Sequence, residues 1–197
     1  MCPLSSNYAR SLSIFRLILF ASVVLYCRVN AQPDAFITGW NSFSGPTSCT
    51  SCITIPTKGP GYNYDVDWDN DGVYDEFGFT GDASHDYGHE VTNQMIRIRG
   101  DFPRVFFYAA EQPDKLDRIH QWGVGRQWTN MDSAFYSCRN LTVAAIDTPD
   151  LSQVTGMRAM FFEAQNLTAF INDWDVSNVQ DMSYMFSGAS GYNQALD

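Results

Sequence analysis

Basic side chains are scarce in this sequence. Its 197 residues include 12 Lys and Arg against 22 Asp and Glu, so the formal net charge is −10. So acidic a surface repels phosphate backbones and anionic lipid headgroups, which disfavours nucleic acid and peripheral membrane binding. Cations and basic surfaces are the partners that it attracts. Aromatic residues make up 15% and hydrophobic residues 45%, which excludes a disordered chain.

The first part of the chain contains no acidic residue and resembles a secretory signal peptide. Arg10 and Arg16 precede an apolar run at 17–27, and Val29 and Ala31 place small residues before a cleavage site. We therefore predict that a signal peptide is removed by cleavage after Ala31, so that residues 1–31 are absent from the secreted protein.

A membrane anchor and a lipoprotein signal are the alternatives for this leader. An 11-residue apolar run is too short to cross roughly 30 Å of hydrocarbon, so no transmembrane helix is expected. A lipidated Cys27 would follow the bulky Tyr26, which fits a lipoprotein signal poorly. Without the leader, nine Lys and Arg remain against 22 Asp and Glu, a net charge of −13.

Cysteine is rare beyond the leader, where it occurs as Cys49, Cys52 and Cys138. The spacing of Cys49 and Cys52 fits a local disulfide, half of a metal site or a redox pair. A zinc site needs about four ligands, and no second cysteine pair lies nearby. A redox pair usually lies at a strand-to-helix turn of an α/β fold, which this region does not resemble. A surface-loop disulfide is therefore the preferred interpretation.

Residues 36–112 have the pattern of short β-strands. Polar and apolar side chains alternate in several segments, as in half-buried strands, and Gly-rich or Asn-Asp-Gly turns separate them. The predicted strand segments are 53–55, 62–68, 95–99 and 105–108. Short strands at close spacing indicate a small antiparallel β-sandwich.

From about residue 119 the sequence repeats itself every 25 or 26 residues. The equivalent positions are Met131, Met157 and Met182; Phe135, Phe161 and Phe186; and Cys138, Ala164 and Ala189. Such a fixed period predicts a solenoid in which each coil buries its apolar side against its neighbours. The stripe recurs at the same place in every repeat, so we interpret it as core and not as a cofactor pocket. Cys138 is then a small buried residue and not a nucleophile.

Within a repeat the apolar spacing predicts a short helix. The spacing i, i+3, i+4, i+7 is met by Met157, Met160, Phe161 and Ala164. The segment 182–189 has the same spacing. We therefore expect a mostly β fold with short helices in the repeats.

The residues of the last repeat resemble a known surface-protein family. Residues 174–179 read Trp-Asp-Val-Ser-Asn-Val, and 181–189 read Asp-Met-Ser-Tyr-Met-Phe-Ser-Gly-Ala. This is similar to the repeat of BspA-type leucine-rich-repeat surface proteins. The resemblance implies a leucine-rich-repeat-like solenoid over 116–197 in an exported bacterial protein with a role in adhesion. Because the chain stops within a repeat at Asp197, we expect the solenoid to be incomplete here and to continue in a longer protein.

The β region resembles a second family. Val66-Asp67-Trp68-Asp69 is similar to the V-D-W-G-D turn of the polycystic-kidney-disease-type (PKD-like) sandwich, and residues 85–87, His-Asp-Tyr, to its H-x-Y. The resemblance implies a small PKD-like β-sandwich over 36–112 ahead of the solenoid.

The densest acidic stretch, 67–76, has the pattern of a calcium loop. Such a loop has oxygen ligands at positions 1, 3, 5, 7 and 9 and a glycine at position 6. Those ligand positions hold Asp67, Asp69, Asp71, the carbonyl of Val73, and Asp75. Position 12, normally Glu, is Gly78, so Glu76, Asp82 or water would complete the shell. A solvated hairpin turn is the alternative, but mutual repulsion of the carboxylates favours a structural Ca²⁺.

Catalysis has little support in the sequence. No nucleophile lies in a G-x-S-x-G pattern. Adjacent Asp75 and Glu76 would point to opposite faces of a strand and would not flank one bond. We predict a non-catalytic binding or adhesion protein that presents its repeats to an extracellular protein or glycan and does not bind nucleic acid. The alternatives are an accessory region of a larger exported polysaccharide-active enzyme and a ligand-free structural spacer.

Overall fold

Short β-strands make up the fold, and most of them direct apolar side chains into the core. The computed structural model describes residues 32–42 and 49–194, so the predicted leader at 1–31 lies outside the described residues. The strands are β1 (Phe36–Trp40), β2 (Cys52–Ile55), β3 (Asn63–Asp67), β4 (Glu76–Phe79), β5 (Ala83–Asp86), β6 (Gln94–Asp101), β7 (Leu116–Gln121) and β8 (Thr142–Val143). The prediction of a β-rich fold is confirmed.

The strands form two sheets. One has six strands in the order β4-β3-β6-β1-β7-β8, and the other pairs β2 with β5. All pairs are antiparallel except β7 with β8. In β6 the side chains of Ile96 and Ile98 are fully buried, as are those of Ile53 and Ile55 in β2. Period-two alternation therefore aims the apolar face of each sheet at the core.

The large sheet extends into the segment that carries the repeats. Strand β7 pairs with β1 through Thr38 and Ile119, and with β8 through Ile119 and Val143. A single buried cluster reaches from Phe36 to Met185, and the described residues from Pro33 onward belong to one compact unit. The division into modules at 36–112 and 116–197 stays a prediction.

Backbone hydrogen bonds join successive repeats at equivalent positions. Alternate N–H groups of one repeat donate to carbonyls of the next at 2.7–3.0 Å; the donors are Met131, Ser133, Phe135 and Ser137, and the acceptors Gly156, Arg158, Met160 and Phe162. The next pair of repeats has the same pattern, from Met157, Ala159, Phe161 and Glu163 to Asp181, Ser183, Met185 and Ser187. The rings of Phe135, Phe161 and Phe186 stack in one column at 5.7 Å per step.

The predicted short helices in the repeats are wrong. Segments 157–164 and 182–189 form successive turns, and the one helix in the described ranges is the 3-10 turn Pro113–Lys115. The backbone φ angle is positive at Ala159 and Glu163, at 52° and 54°, whereas a right-handed helix needs negative φ throughout. These reversals turn alternate N–H groups toward the neighbouring repeat. The turns bring the chain back to the same side about every fourth residue, so they produce the apolar spacing of a helix.

Candidate functional site

The acidic loop connects β3 to β4 at one edge of the large sheet. Strand β3 ends at Asp67 and β4 begins at Glu76. Between them Asn70 and Gly72 have φ angles of 58° and 96°. Asparagine and glycine tolerate this left-handed conformation better than other residues. The Asn-Asp-Gly sequence therefore permits the tight reversal that folds the loop back over the end of β3.

Three of the predicted metal ligands converge in this loop. One carboxylate oxygen from each of Asp67, Asp69 and Asp71 lies within 4.8 Å of the others. Backbone N–H groups orient them: the Asp71 N–H donates to Asp67 Oδ1 at 3.2 Å and to Asp69 Oδ1 at 3.1 Å. The N–H groups of Gly72 and Val73 donate to Asp67 Oδ2 at 2.9 Å and to Asp71 Oδ1 at 2.7 Å. The loop backbone thus holds these three carboxylates close together.

Asp67 is the buried member of this group. Its side chain is 0% exposed, and burial raises its pKa, while the Gly72 N–H and the nearby Arg97 lower it. Arg97 is also buried; its Nε lies 3.9 Å from Asp67 Oδ2 and donates to Asn70 Oδ1 at 3.0 Å. A buried carboxylate is costly unless a cation or hydrogen-bond donors offset it. The Arg97 guanidinium and the N–H groups of Asp71 and Gly72 therefore offset the cost of burying the Asp67 carboxylate.

Asp75 does not belong to this close group of carboxylates, and the Val73 carbonyl stays a predicted ligand. Asp75 Oδ2 accepts a hydrogen bond from the Trp68 N–H at 2.8 Å. Val73 has an exposed side chain. Glu76 Oε1 accepts from Trp68 Nε1 at 2.9 Å, and Asp82 Oδ1 accepts from the N–H and hydroxyl of Thr57 at 2.6 and 2.7 Å. Neither Glu76 nor Asp82 belongs to the close group of carboxylates in the described part of the chain.

Two residues that support this loop were missed from the sequence. Arg97 pairs in register with Asp67 across β3 and β6, a match that only the strand register reveals. The hydroxyl of Tyr87 donates to the Trp68 carbonyl at 2.7 Å. In the sequence, the alternation over 95–99 places Arg97 among the polar positions. It does not identify Asp67 as the partner of Arg97.

The three-carboxylate group fits a hard cation in its donor chemistry. Calcium takes 6–8 oxygen ligands, and carboxylates bind it through one or both oxygens. Asp67, Asp69 and Asp71 offer six carboxylate oxygens, some of which already accept backbone N–H groups. These residues therefore fit a calcium ion that water also hydrates.

The cysteines beyond the leader lie in two different environments. Cys49 and Cys52 form a disulfide with a Cα–Cα distance of 5.4 Å. The buried Lys115 donates from Nζ to the carbonyls of Cys49 and Cys52 at 3.1 and 2.5 Å, and burial lowers its pKa. Cys138 is fully buried, and burial raises the pKa of its thiol well above the ordinary value. The prediction of Cys138 as a buried core residue is confirmed.

Comparison with known proteins finds a family model that the repeats resemble. Residues 107–197 match the model of the family described as "Mycoplasma protein of unknown function, DUF285". The matched range contains every repeat described above and covers less than half of the chain. It is compatible with the resemblance to BspA-type surface repeats, and it does not include β1–β6. Neither the curated proteins nor the solved structures contain a match to the chain.

Membrane-spanning helices are absent from the residues that the structure describes. None of their helices has the length and the apolar character that crossing a bilayer requires.

Proposed function

We propose that this chain is a secreted or cell-surface, non-catalytic protein that binds or adheres through its repeats. In this proposal the repeats form a short leucine-rich-repeat-like solenoid behind a PKD-like β-sandwich. The observation that carries it is the uniform register of the hydrogen bonds between successive repeats. A solenoid built in this way offers an extended surface to a partner.

The packing of the repeats supports a surface role. Met157, Phe161 and Ala164 are fully buried, and Phe161 stacks on the equivalent Phe135 and Phe186 of the neighbouring repeats. Their apolar side chains are thus enclosed, and the outward positions are the ones available to a ligand. The two sheets, which bury Ile53 and Ile96 in a common core, support the proposed sandwich.

The proposal predicts saturable attachment of the purified chain to an extracellular macromolecule. The full chain would be tested on arrays of immobilised glycans and matrix proteins, with heat-denatured chain as the control for non-specific adhesion. We expect folded chain to bind at least one class of surface with a measurable Kd and denatured chain to bind none. Release of sugars during the assay would favour the enzyme alternative, and absence of binding on every surface would favour the ligand-free spacer.

We further propose that Asp67, Asp69 and Asp71 bind a structural Ca²⁺. The convergence of their oxygens within 4.8 Å supports this. Because only Asp67 is buried, the site is open to water, and binding in the millimolar range is expected for an extracellular module. The ion would fix the loop between β3 and β4.

Millimolar Ca²⁺ should raise the melting temperature of the chain. At a Ca²⁺ concentration of about ten times Kd, linkage gives about 1.4 kcal/mol, or roughly 3–5 °C for a chain of this size. The double variant Asp69→Ala plus Asp71→Ala should lose this shift. The matched control is Asp175→Ala plus Asp181→Ala, which removes two exposed carboxylates that also accept backbone N–H groups, from Ser177 and Ser183. No shift in the unaltered chain, or a shift that survives in the first variant, would remove the ion from the proposal.

A further inference from the structure

A row of aromatic side chains crosses the surface of the repeats. This aromatic stripe consists of Phe106, Tyr108, Tyr136, Phe162 and Tyr184. Its successive ring centroids lie 6.2 Å apart for Phe106 and Tyr108, 5.1 Å for Tyr108 and Tyr136, and 4.7 Å for Tyr136 and Phe162. Tyr184 forms a wall of the same groove of about 430 Å³ as Tyr108, Tyr136 and Phe162. The stripe is therefore one continuous surface.

The repeat accounts for only the middle of the stripe. Tyr136 and Phe162 are half-buried and directly follow the buried Phe135 and Phe161 at equivalent positions. The third repeat has Ser187 at this position, and Tyr184 stands at the position of Ala159. Of the five side chains, Tyr108 and Tyr184 are the exposed ones, at 55% and 60%. Isolated exposed aromatics are ordinary on protein surfaces, but a contiguous row of them marks an interaction site.

Positive charge flanks this stripe, although the chain as a whole is acidic. Lys58 Nζ and Arg104 Cζ lie 5.6 Å and 4.8 Å from the ring centre of Phe106, and Arg158 Cζ lies 5.0 Å from that of Tyr184. These are three of the nine cationic residues beyond the leader. None of the three takes part in an ion pair between described residues.

Three carboxylates lie close to the stripe or to its cations. Asp132 accepts hydrogen bonds from the Arg158 N–H at 2.9 Å and from Asn130 Nδ2 at 3.1 Å, so its charge already has local donors. Glu163 lies near Tyr136 and, after burial, is the next cause of the raised pKa of that tyrosine. Asp82 accepts hydrogen bonds from the N–H and the hydroxyl of Thr57, which is adjacent to Lys58. Three cations therefore face three carboxylates, so the stripe is close to neutral, whereas the chain without its leader has a net charge of −13.

We propose that the aromatic stripe, together with Lys58, Arg104 and Arg158, binds an acidic polysaccharide whose sugar units carry carboxylates. This inference rests on the proposed binding function and names its ligand. The C–H faces of sugar rings pack on aromatic rings, and tyrosine hydroxyls exchange hydrogen bonds with sugar hydroxyls. Guanidinium groups pair with carboxylates in a two-pronged geometry.

Binding of the full chain to polygalacturonate tests this proposal. Methyl-esterified polygalacturonate is the matched probe, because it keeps the sugar backbone and loses the charges. We expect saturable binding to the acid form, at least about tenfold weaker binding to the ester, and further weakening as salt rises. Equal affinity for the two polymers would overturn the role of the cations.

Variants locate the binding surface. We expect Tyr108→Ala plus Tyr184→Ala, and separately Lys58→Gln plus Arg158→Gln, to weaken binding at least about tenfold. The matched control is Phe170→Ala plus Arg118→Gln, which removes another exposed aromatic residue and another exposed cation outside the stripe. The melting temperature of each variant shows whether it is folded. Equal losses in stripe and control variants would contradict the assignment.

Competing ligands give distinguishable results. Binding to poly-glutamate as tight as to polygalacturonate, with the same losses in the stripe variants, would assign the stripe to an acidic peptide and overturn the proposal. A preference for a sulfated glycan such as heparin would overturn the carboxylate assignment. Attachment to array surfaces without binding to polygalacturonate would reject this ligand and leave the proposed function standing. Absence of binding to polygalacturonate and to every array surface would reject both this ligand and the proposed binding function.

Discussion

Replacing Phe161 with alanine should lower the free energy of unfolding by about 3–5 kcal/mol. Phe161 is fully buried, and its ring stacks on Phe135 and on Phe186 at 5.7 Å on each side. Trp174 lies 6.5 Å from it across the repeat. Removing the central ring of the column takes away its burial and leaves a cavity that the stacked neighbours cannot fill without moving. Equilibrium unfolding in urea or guanidinium measures the loss.

The matched control for this variant is Phe170→Ala in the same repeat. Phe170 is 76% exposed, so its removal should change stability by no more than about 0.5 kcal/mol. Similar losses for the two variants would mean that the phenylalanine column is not a core. Because each repeat packs mainly on its neighbours, the loss at Phe161 is also expected to reach both adjoining repeats.

Periodicity predicted the core of the repeats but not their backbone. Met157, Met160, Phe161 and Ala164 are all fully buried, as the repeated positions require. The same spacing arises from an α-helix and from turns that reverse about every fourth residue, so it could not distinguish them. The distinction comes from hydrogen bonds between repeats, which are partners some 25 residues away. A local pattern does not contain that information.

One repeated position departs from the pattern. Met131 and Met157 are fully buried, whereas Met182 is 40% exposed. Within the described residues no further repeat stacks on Met182, so the environment of this slot changes although its sequence does not. Equivalent residues in a repeat protein have equivalent burial only where both neighbours are present.

The acidic loop was located from the sequence, but the carboxylates that converge in it were not distinguished from those that do not. Asp67, Asp69 and Asp71 gather because the Asn-Asp-Gly turn directs backbone N–H groups toward their oxygens. Asp75 lies apart from these three carboxylates. Its N–H donates to the Val66 carbonyl at 3.0 Å where β3 meets β4, and its carboxylate accepts a hydrogen bond from the Trp68 N–H. The pairing of β3 with β4 therefore sets the direction of the Asp75 side chain. The spacing of the acidic residues does not reveal this pairing.

Asp67→Ala should be the most damaging single change in the loop, costing about 3–5 kcal/mol. The substitution leaves the buried Arg97 without its carboxylate and the Gly72 N–H without its acceptor, while the Asp71 N–H keeps only Asp69 Oδ1. By contrast, Asp69→Ala removes an exposed carboxylate and should cost much less. Unfolding would be measured in a chelator, so that loss of a calcium ligand does not contribute to the difference.

A second substitution distinguishes the cost of leaving Arg97 unpaired from the other causes of the stability loss in Asp67→Ala. If the buried charge of Arg97 dominates, Arg97→Met in the Asp67→Ala background should restore part of the stability, since it removes a cation that has lost its partner. Asp67→Asn is the intermediate case, because it keeps an oxygen acceptor for the loop N–H groups but no charge. A double variant less stable than Asp67→Ala would show that Arg97 contributes mainly through packing and its bond to Asn70. A loss for Asp67→Ala as small as that for Asp69→Ala would show that the buried pair does not hold the loop.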